Sequence, residues 1–332
     1  MTAATSVELR PFDPEGDFPS VVDLISAAHA HAGFDWFPSV AGLTVEWSPS
    51  PSFDPPLDTR IAVEDGRIVG LVRTSWRERE AGVVHRIEVW VHPDRQRQGI
   101  GRRLLAWAEE RGHEVAAGFS DRLAELPHRF GGVTDQDNAA GAGFASSAGY
   151  EPFRFHYEMR RALADPIPDA ALPDGLEMRP VRPEDHRAIW LADTEAFRDH
   201  WDASVVHEED FVRFFAHPEI DTSIWQVAWA GDEVAGMVIN AINPRENERT
   251  GVDVGWLDGV STRRPWRKRG LASALIARSL TVLRDRGMTV AALGVDTENP
   301  SGALGLYERF GFRPTRTWAF YRKAFQAHGV DR

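Results

Sequence analysis

At 332 residues the chain is long enough for two domains of ordinary size, each able to bury its own core. Its 42% hydrophobic and 27% charged residues mark a globular chain rather than a disordered one, and a formal net charge of −12 argues against nucleic acid as the main partner. The absence of Cys excludes thiol nucleophiles and thiolate metal sites, and no run approaches the roughly 20 apolar residues of a membrane span.

In chain order, "MTAATSVELRPF" has neither the basic nor the apolar block of a secretory signal, so a cytoplasmic protein with no membrane partner is expected. A short strand is expected at 7–12 and helical segments at about 17–31. A hairpin turns at Asp65-Gly66, and a strand follows at 83–91, "VVHRIEVWV", leading to a Gly-containing turn and a helix. Pro166, Pro168 and Pro173 then interrupt residues 161–175, denying the backbone donors and helical geometry of a regular element. The expected division is therefore an N-terminal domain at 1–160, a linker at 161–175 and a C-terminal domain at 176–332.

Beyond the linker the order repeats. "LEMRPVRPE" at 176–184 matches "VELRPFDPE" at 7–15, pairing Glu8, Arg10, Pro11, Pro14 and Glu15 with Glu177, Arg179, Pro180, Pro183 and Glu184. A strand at 176–181, helices at about 184–199 and 206–216, a hairpin at Gly231-Asp232 and a strand at 251–260 precede a second Gly-containing turn. The helix after it carries Leu271, Leu275, Ile276, Leu280 and Leu283 on one stripe. A strand at 289–295, a helix beginning at Asn299-Pro300 and a final strand, "TRTWAFYRK", complete the half. The sequence thus predicts an α/β chain in which a mixed sheet with helices on its faces occurs twice.

The two turns carry the chemistry. A strand that stops at a Gly-containing turn and opens a helix presents unpaired backbone N–H groups and the positive end of the helix dipole. In "RKRGLAS", residues 267–273, the amides around Gly270 to Ser273 can cradle a pyrophosphate. Residues 263–269 place five basic side chains in seven positions of an acidic chain, so a small anion is the expected ligand. "QRQGIGR", 96–102, stands at the same place in the first half. No G-x-x-x-x-G-K-[ST] motif occurs, nor a G-x-G-x-x-G with a ribose-binding acid.

The spacing [Q/R]-x-x-G-x-[G/A], present as Gln96-x-x-Gly99-x-Gly101 and Arg267-x-x-Gly270-x-Ala272, resembles the acetyl-CoA-binding motif of the GCN5-related N-acetyltransferase (GNAT) family. "DTENPSGALGLYERFGF", 296–312, is similar to that family's closing motif. The resemblance covers the C-terminal half and, more weakly, the N-terminal half. It implies two tandem GNAT-type domains, each a mixed, mostly antiparallel sheet flanked by helices. It also implies acetyl-CoA as acyl donor, without a metal, held by Val260, Ser261, Thr262, Arg267, Lys268, Arg269, Gly270, Leu271, Ala272, Ser273 and Asn299. Gln96, Gly99 and Gly101 are the corresponding residues of the first half.

By the same resemblance Tyr307 is the general acid toward the departing thiolate. Aligning Gly149-Tyr150 with Gly311-Phe312 puts Ala145 at the Tyr307 position, so chemistry is expected in the second half only. The first half either binds coenzyme A without turnover or is purely structural. An alkyl amine, with a pKa of roughly 10, must lose a proton before attack. Asp258, just before the stretch Val260 to Thr262, is the leading base, with Asp253 and Glu248 in reserve; the Val260 N–H is the expected donor to the thioester carbonyl.

The expected acceptor is a primary amine of a small molecule. The rival readings are an acyl-CoA-binding regulatory module without turnover and an acyltransferase for a protein N-terminus. Trp201 and Trp225 are candidates for aromatic walls around a cationic amine. His29-x-His31 lacks further ligands at metal spacing.

Overall fold

The computed structural model describes residues 7–201, 203, 205–299 and 302–326. It divides the chain into two compact units, and the division does not follow the 1–160 and 176–332 boundaries expected from the repeat. Unit one holds the chain up to Phe153, Ala216–Pro218 and the segment from Ala319 onward; unit two holds Arg154–Phe215 and Glu219–Trp318. The reason is strand pairing. The last strand of the first half joins the sheet of unit two, and the end of the second half's last strand belongs to unit one.

Unit one runs β1 (Glu8–Pro11), α1 (Phe18–Ala32), α2 (Val40–Glu46), α3 (Pro55–Asp58), β2 (Thr59–Glu64), β3 (Arg67–Arg79), β4 (Gly82–Val91), α4 (Ile100–Ala117), α5 (Asp121–Ala124), β5 (His128–Asp135) and α6 (Ala139–Ser147). Its strands lie in the order β1-β2-β3-β4-β5, antiparallel except for the parallel pair β4/β5. The β2–β3 hairpin closes through Asp65 and Gly66, both at positive φ (49° and 76°), the turn expected from the sequence. One core packs Val21, Leu24 and Ile25 of α1 and Leu43 of α2 against Ile61 and Leu71.

Unit two begins with β6 (Glu151–Ala162), of which Arg154–Ala162 lie within it. There follow β7 (Glu177–Met178), α7 (His186–Ala196), α8 (Glu208–Ala216), β8 (Gln226–Ala230), β9 (Glu233–Ile242), α9 (Pro244–Thr250), β10 (Val254–Thr262), α10 (Leu271–Asp285), β11 (Val290–Asp296), α11 (Ala303–Arg309) and β12 (Arg313–Ala324). The strand order is β6-β11-β10-β9-β8-β7, with β10/β11 the parallel pair. Leu271, Leu275, Ile276, Leu280 and Leu283 of α10 are all buried, as their stripe requires, against Ala235, Val238 and Leu257 on one sheet face. Each fully buried Leu or Ile contributes roughly 1.5–3 kcal/mol. On the opposite face Ile189 and Ala192 of α7 pack on Val227, Met237 and Ile239.

Three local readings change. The strand expected from 251 starts at Val254, because α9 occupies 244–250 and ends on Gly251 at φ 71°. The helix expected from Asn299-Pro300 starts at Ala303 with Gly302 as its N-cap, and Pro300 lies outside the described residues. Arg161 and Ala162, expected in the linker, finish β6. No helix among the described residues is long and apolar enough to cross a membrane.

The unit boundaries make a prediction. Unit one needs the chain beyond Ala319: Lys323 Nζ bonds both Glu109 oxygens at 2.8 Å, and the Phe325 ring packs 4.7 Å from His85 and 4.9 Å from Phe130. A 1–160 fragment also carries Met159, a member of the unit-two core, with nothing to cover it. Expressed alone, that fragment should show no cooperative urea transition by circular dichroism. A sharp transition with native near-UV signal would overturn the unit assignment.

Candidate functional site

The site of unit two is built where β10 parts from β11. The two strands pair only from Val254 to Trp256 with Val290 to Ala292, and beyond that β10 continues bonded to β9 alone. Between Leu257 and Gly259 the β9/β10 register slips, which makes Asp258 the extra residue of a β-bulge. The bulge lies at the point of divergence. From there to Thr262, backbone groups of β10 that face β11 have no strand partner. Val260, Ser261 and Thr262, expected to contact the acyl donor, lie on this one-sided stretch.

The turn that follows is a compact anion cradle. Lys268 and Gly270 both have positive φ (60° and 87°), alternating with ordinary residues so that successive N–H groups turn toward one side, and α10 opens immediately after. A Cβ built on Gly270 would meet no protein atom within 4 Å, so space is open in front of the turn. Lys268 and Arg269 are exposed.

Arg267 differs from its expected role as a pyrophosphate ligand. Its guanidinium bonds Thr262 O (3.0 Å), Asp199 Oδ2 (2.7 Å) and Ala196 O (3.1 Å), which ties the turn to the end of α7. Arg264 also holds Asp199, and Arg263 bonds Glu195 at 2.8 Å. Of the five basic residues, three are therefore occupied by protein groups, and Lys268 and Arg269 remain to meet a ligand. Hydrogen bonds from Arg264 and Arg267 hold the Asp199 carboxyl well below the ordinary carboxylate range.

Tyr307 lies on α11 with its ring buried (6% exposed), 6.2 Å from the Phe312 ring and nearly perpendicular to it. Desolvation pushes its phenol up to about 12, so it is a protonated donor at neutral pH. Asn299 sits in the turn between β11 and α11, its N–H donating to Asp296 O (3.2 Å). Asp258 is open to solvent yet lies in a crowded concavity, and this desolvation raises its carboxyl above the ordinary range.

Sequence reasoning missed Asp193. It projects from α7 toward Ser261, and burial pushes its carboxyl up to about 6; the Ser261 hydroxyl opposes that rise and Asp258 adds to it. Asp193 Oδ1 is sealed from solvent without a hydrogen-bond partner among the described residues, as is Ser261 Oγ. The available signal was an Asp at position i+4 from Ile189 on the packing face of a helix, where an apolar residue is the ordinary choice. Also missed was the convergence of His156, His200 and Asp296, whose potential ligand atoms lie within 4.8 Å of one another. Arg154 already bonds both Asp296 oxygens there, at 3.0 and 2.6 Å. Trp201, expected as a pocket wall, donates to His156 Nε2 at 3.4 Å.

Unit one repeats the cradle and not its surroundings. Arg97 and Gly99 have φ 62° and 83°, matching Lys268 and Gly270 within a few degrees, and a Cβ on Gly99 also meets open space. Gly101 is different, since its Cβ direction points at the Phe144 ring 3.5 Å away. Strand β4 pairs with β3 from Gly82 to Val91 without a register shift, so there is no bulge. Counting back from the turn glycine, Ser261 corresponds to Trp90, whose indole donates to His29 Nε2 at 3.0 Å. The nearby Glu88 is paired with Arg86 (2.8 Å) and Arg73 (3.4 Å), which hold it ionised and below the ordinary range against the opposing effect of burial. His29 Nδ1 is bonded to Trp36 O at 2.8 Å, so both its ring nitrogens are engaged within the protein.

Comparison with known proteins agrees with this doubled architecture. The Acetyltransferase (GNAT) family profile matches residues 23–150 and again 186–312. The mycothiol acetyltransferase of Salinispora arenicola is 30% identical over 302 residues, 89% of this chain and 91% of that one. That of Thermomonospora curvata is 30% identical over 302 residues, 90% and 91% of the respective chains. The crystal structure of a GCN5-related N-acetyltransferase from Sphaerobacter thermophilus has 25% identity and a TM-score of 0.70, over 98% of each chain. Two matched domains, each with the one-sided sheet and the cradle turn, make this chain a tandem member of the GNAT acetyltransferase family.

Proposed function

We propose that unit two is an acetyl-CoA-dependent N-acetyltransferase acting on the primary amine of a small molecule, and that unit one does not catalyse. The observation that carries this reading is the bulge at Asp258, which sets a carboxylate at the divergence of β10 and β11 in unit two and has no counterpart in unit one. The relatives named mycothiol acetyltransferase make mycothiol chemistry the first place to seek the acceptor.

Acetyl-CoA supplies the activated acetyl group. The cradle from Lys268 to Ser273 fits its pyrophosphate: the amides converge, Gly270 leaves room, and Lys268 and Arg269 add positive charge. Unpaired β10 amides, with Val260 N–H the leading donor, polarise the thioester carbonyl as negative charge develops on its oxygen. Asp258 accepts the proton that the acceptor's ammonium must lose, and its raised pKa brings its basicity nearer that task. The nitrogen lone pair then forms the C–N bond, the C–S bond breaks, and the Tyr307 hydroxyl gives its proton to the sulfur; the second proton, shed by the acylated nitrogen, returns through solvent to the Tyr307 phenolate. Arg267 contributes by fixing the turn to α7 rather than by touching the donor.

Tyr307→Phe keeps the buried ring and removes the proton. Acetyl-CoA binding by calorimetry should persist, while kcat in a thiol-release assay falls by about 10²-fold, the lower end of what a general acid contributes, because a thiolate leaves partly unaided. Full kcat in this variant would make Tyr307 a packing residue and leave water as the acid that protonates the departing thiolate.

The double variant Lys268→Ala/Arg269→Ala should weaken coenzyme A about 10-fold or more, and less so in high salt. Alanine at Arg97 and Gln98, the corresponding pair of unit one, should leave turnover unaltered. If the unit-one change abolished turnover and the unit-two change did not, the assignment of the units would be reversed.

A further inference from the structure

Between α7, α8 and the sheet of unit two lies a cavity of about 40 Å³, lined by Ile189, Trp190, Asp193, Phe214, Trp225 and Ile239, with Phe215 closing it. Its walls are mutually packed aromatics: Trp190 stands 5.3 Å from Phe214, Phe214 6.0 Å and Phe215 5.9 Å from Trp225. Two polar atoms of this lining are buried without a partner among the described residues, the acceptor Asp193 Oδ1 and the donor Trp225 Nε1. A buried carboxylate oxygen left unpaired is costly, and native proteins leave few such atoms. The volume leaves room for about three water-sized atoms, enough for an ammonium group on a short stem.

We propose that this cavity is the acceptor subsite, in which the Asp193 carboxylate takes the ammonium group of a compact primary alkylamine, including amino alcohols. The aromatic faces favour a cation above other occupants of that size, and the stem replaces no polar contact. An amino alcohol oxygen is the natural partner of Trp225 Nε1. Ser261 and Asp258 of β10 are the groups that act on the Asp193 carboxyl, the hydroxyl lowering its pKa and the second carboxyl raising it. The proposal rests on the transferase reading for the word acceptor, and its test does not use acetyl-CoA.

The charge at Asp193 sets the pH dependence. On α7 itself, burial against Phe215 lowers the His186 imidazole below its ordinary range and Glu195 accepts from Arg263; on α8, Asp210 and Arg213 pair at 3.7 Å; on β10, Asp258 repels. A carboxyl whose folded value is raised to about 6 from 3.8 is ionised in the folded protein only above that pH. Affinity for an ammonium ion should therefore rise as pH increases through 6, while an alkylamine of pKa roughly 10 stays protonated throughout.

Propylammonium chloride titrated into the full-length protein should give a saturable change in tryptophan fluorescence at pH 8, absent with sodium chloride and far weaker with 1-propanol. At pH 5 the affinity should drop, and in Asp193→Asn it should be about 10- to 100-fold lower with no pH dependence. The Asn variant should also melt higher than wild type at pH 8, by a margin that shrinks as pH falls through the window from roughly 6 to 4, which confirms its fold. No saturable response up to roughly 0.1 M would mean that the cavity holds only water. Equal binding of 1-propanol, or a pH-independent wild-type affinity, would show that Asp193 is not the receiver. A protein that binds propylammonium this way yet releases no thiol with any amine would sink the transferase reading and leave the cation subsite standing.

Discussion

A sheet strand can be hydrogen-bonded on two sides, and β10 beyond Trp256 uses only one. That single constraint arranges unit two. With β11 turned away, the backbone groups facing the gap need partners, and a ligand can supply them where no strand does. The bulge at Asp258 belongs to the same event, since an extra residue bends β10, increases its local twist and re-aims a side chain at the opening. The cradle turn comes eight residues after Thr262 and inherits its position from where β10 ends. Arg267 makes the linkage stiff by bonding a carbonyl of β10 and one of α7 at once, so that the turn, the divergent strand and the helix carrying Asp193 are held as one piece.

The two halves show how a duplicated backbone can keep its geometry after its side chains have taken another course. Positive φ at Arg97 and Gly99 survives in unit one although β4 runs straight and a Trp stands where unit two has Ser261. The reason is that the turn's conformation is set locally, by Gly99 and the residues around it, and does not depend on the side chains of β4. Reactivity depends instead on unpaired groups. In unit one Glu88 is paired with two arginines and Trp90 with an imidazole acceptor, so on the proposed reading neither is left to act on a ligand. Unit one is thus better satisfied than unit two at the corresponding place.

What the sequence disclosed was what local rules determine. The hairpin at Asp65-Gly66, the stripe on α10 and the turn at Gly270 follow from positive-φ preference and 3.6-residue periodicity, and each stands where those rules put it. The bulge did not show, because "LDGV" reads equally as a turn or as strand and only the register against Asn240 and Ile239 distinguishes them. The partition of terminal strands did not show either. Nothing local in residues 151–162 says which sheet receives them, and strand pairing is a non-local choice. Arg267 looked like a ligand since a basic residue in a cradle motif attracts that reading; two of its three protein acceptors, Asp199 Oδ2 and Ala196 O, lie 68 and 71 positions away, a separation that no motif spans.

Asp193 carries the same lesson into energetics. A helix position facing a sheet is ordinarily filled by an apolar residue, and an unpaired carboxylate there destabilises the folded state at neutral pH. The pKa pushed up to about 6 is that cost expressed as proton affinity: between roughly pH 4 and 6 the folded chain holds a proton that the unfolded chain has released, so stability falls as pH rises through this window. Unit one shows that the fold does not require it, for α1 buries Val21, Leu24 and Ile25 against its sheet with no acid among them. In unit two Asp193 Oδ1, Ser261 Oγ and the β10 groups that face the gap stand without partners among the described residues. On the reading proposed above, an incoming cation and a polarisable carbonyl would satisfy these groups together, so that reading implies coupled binding of acceptor and donor.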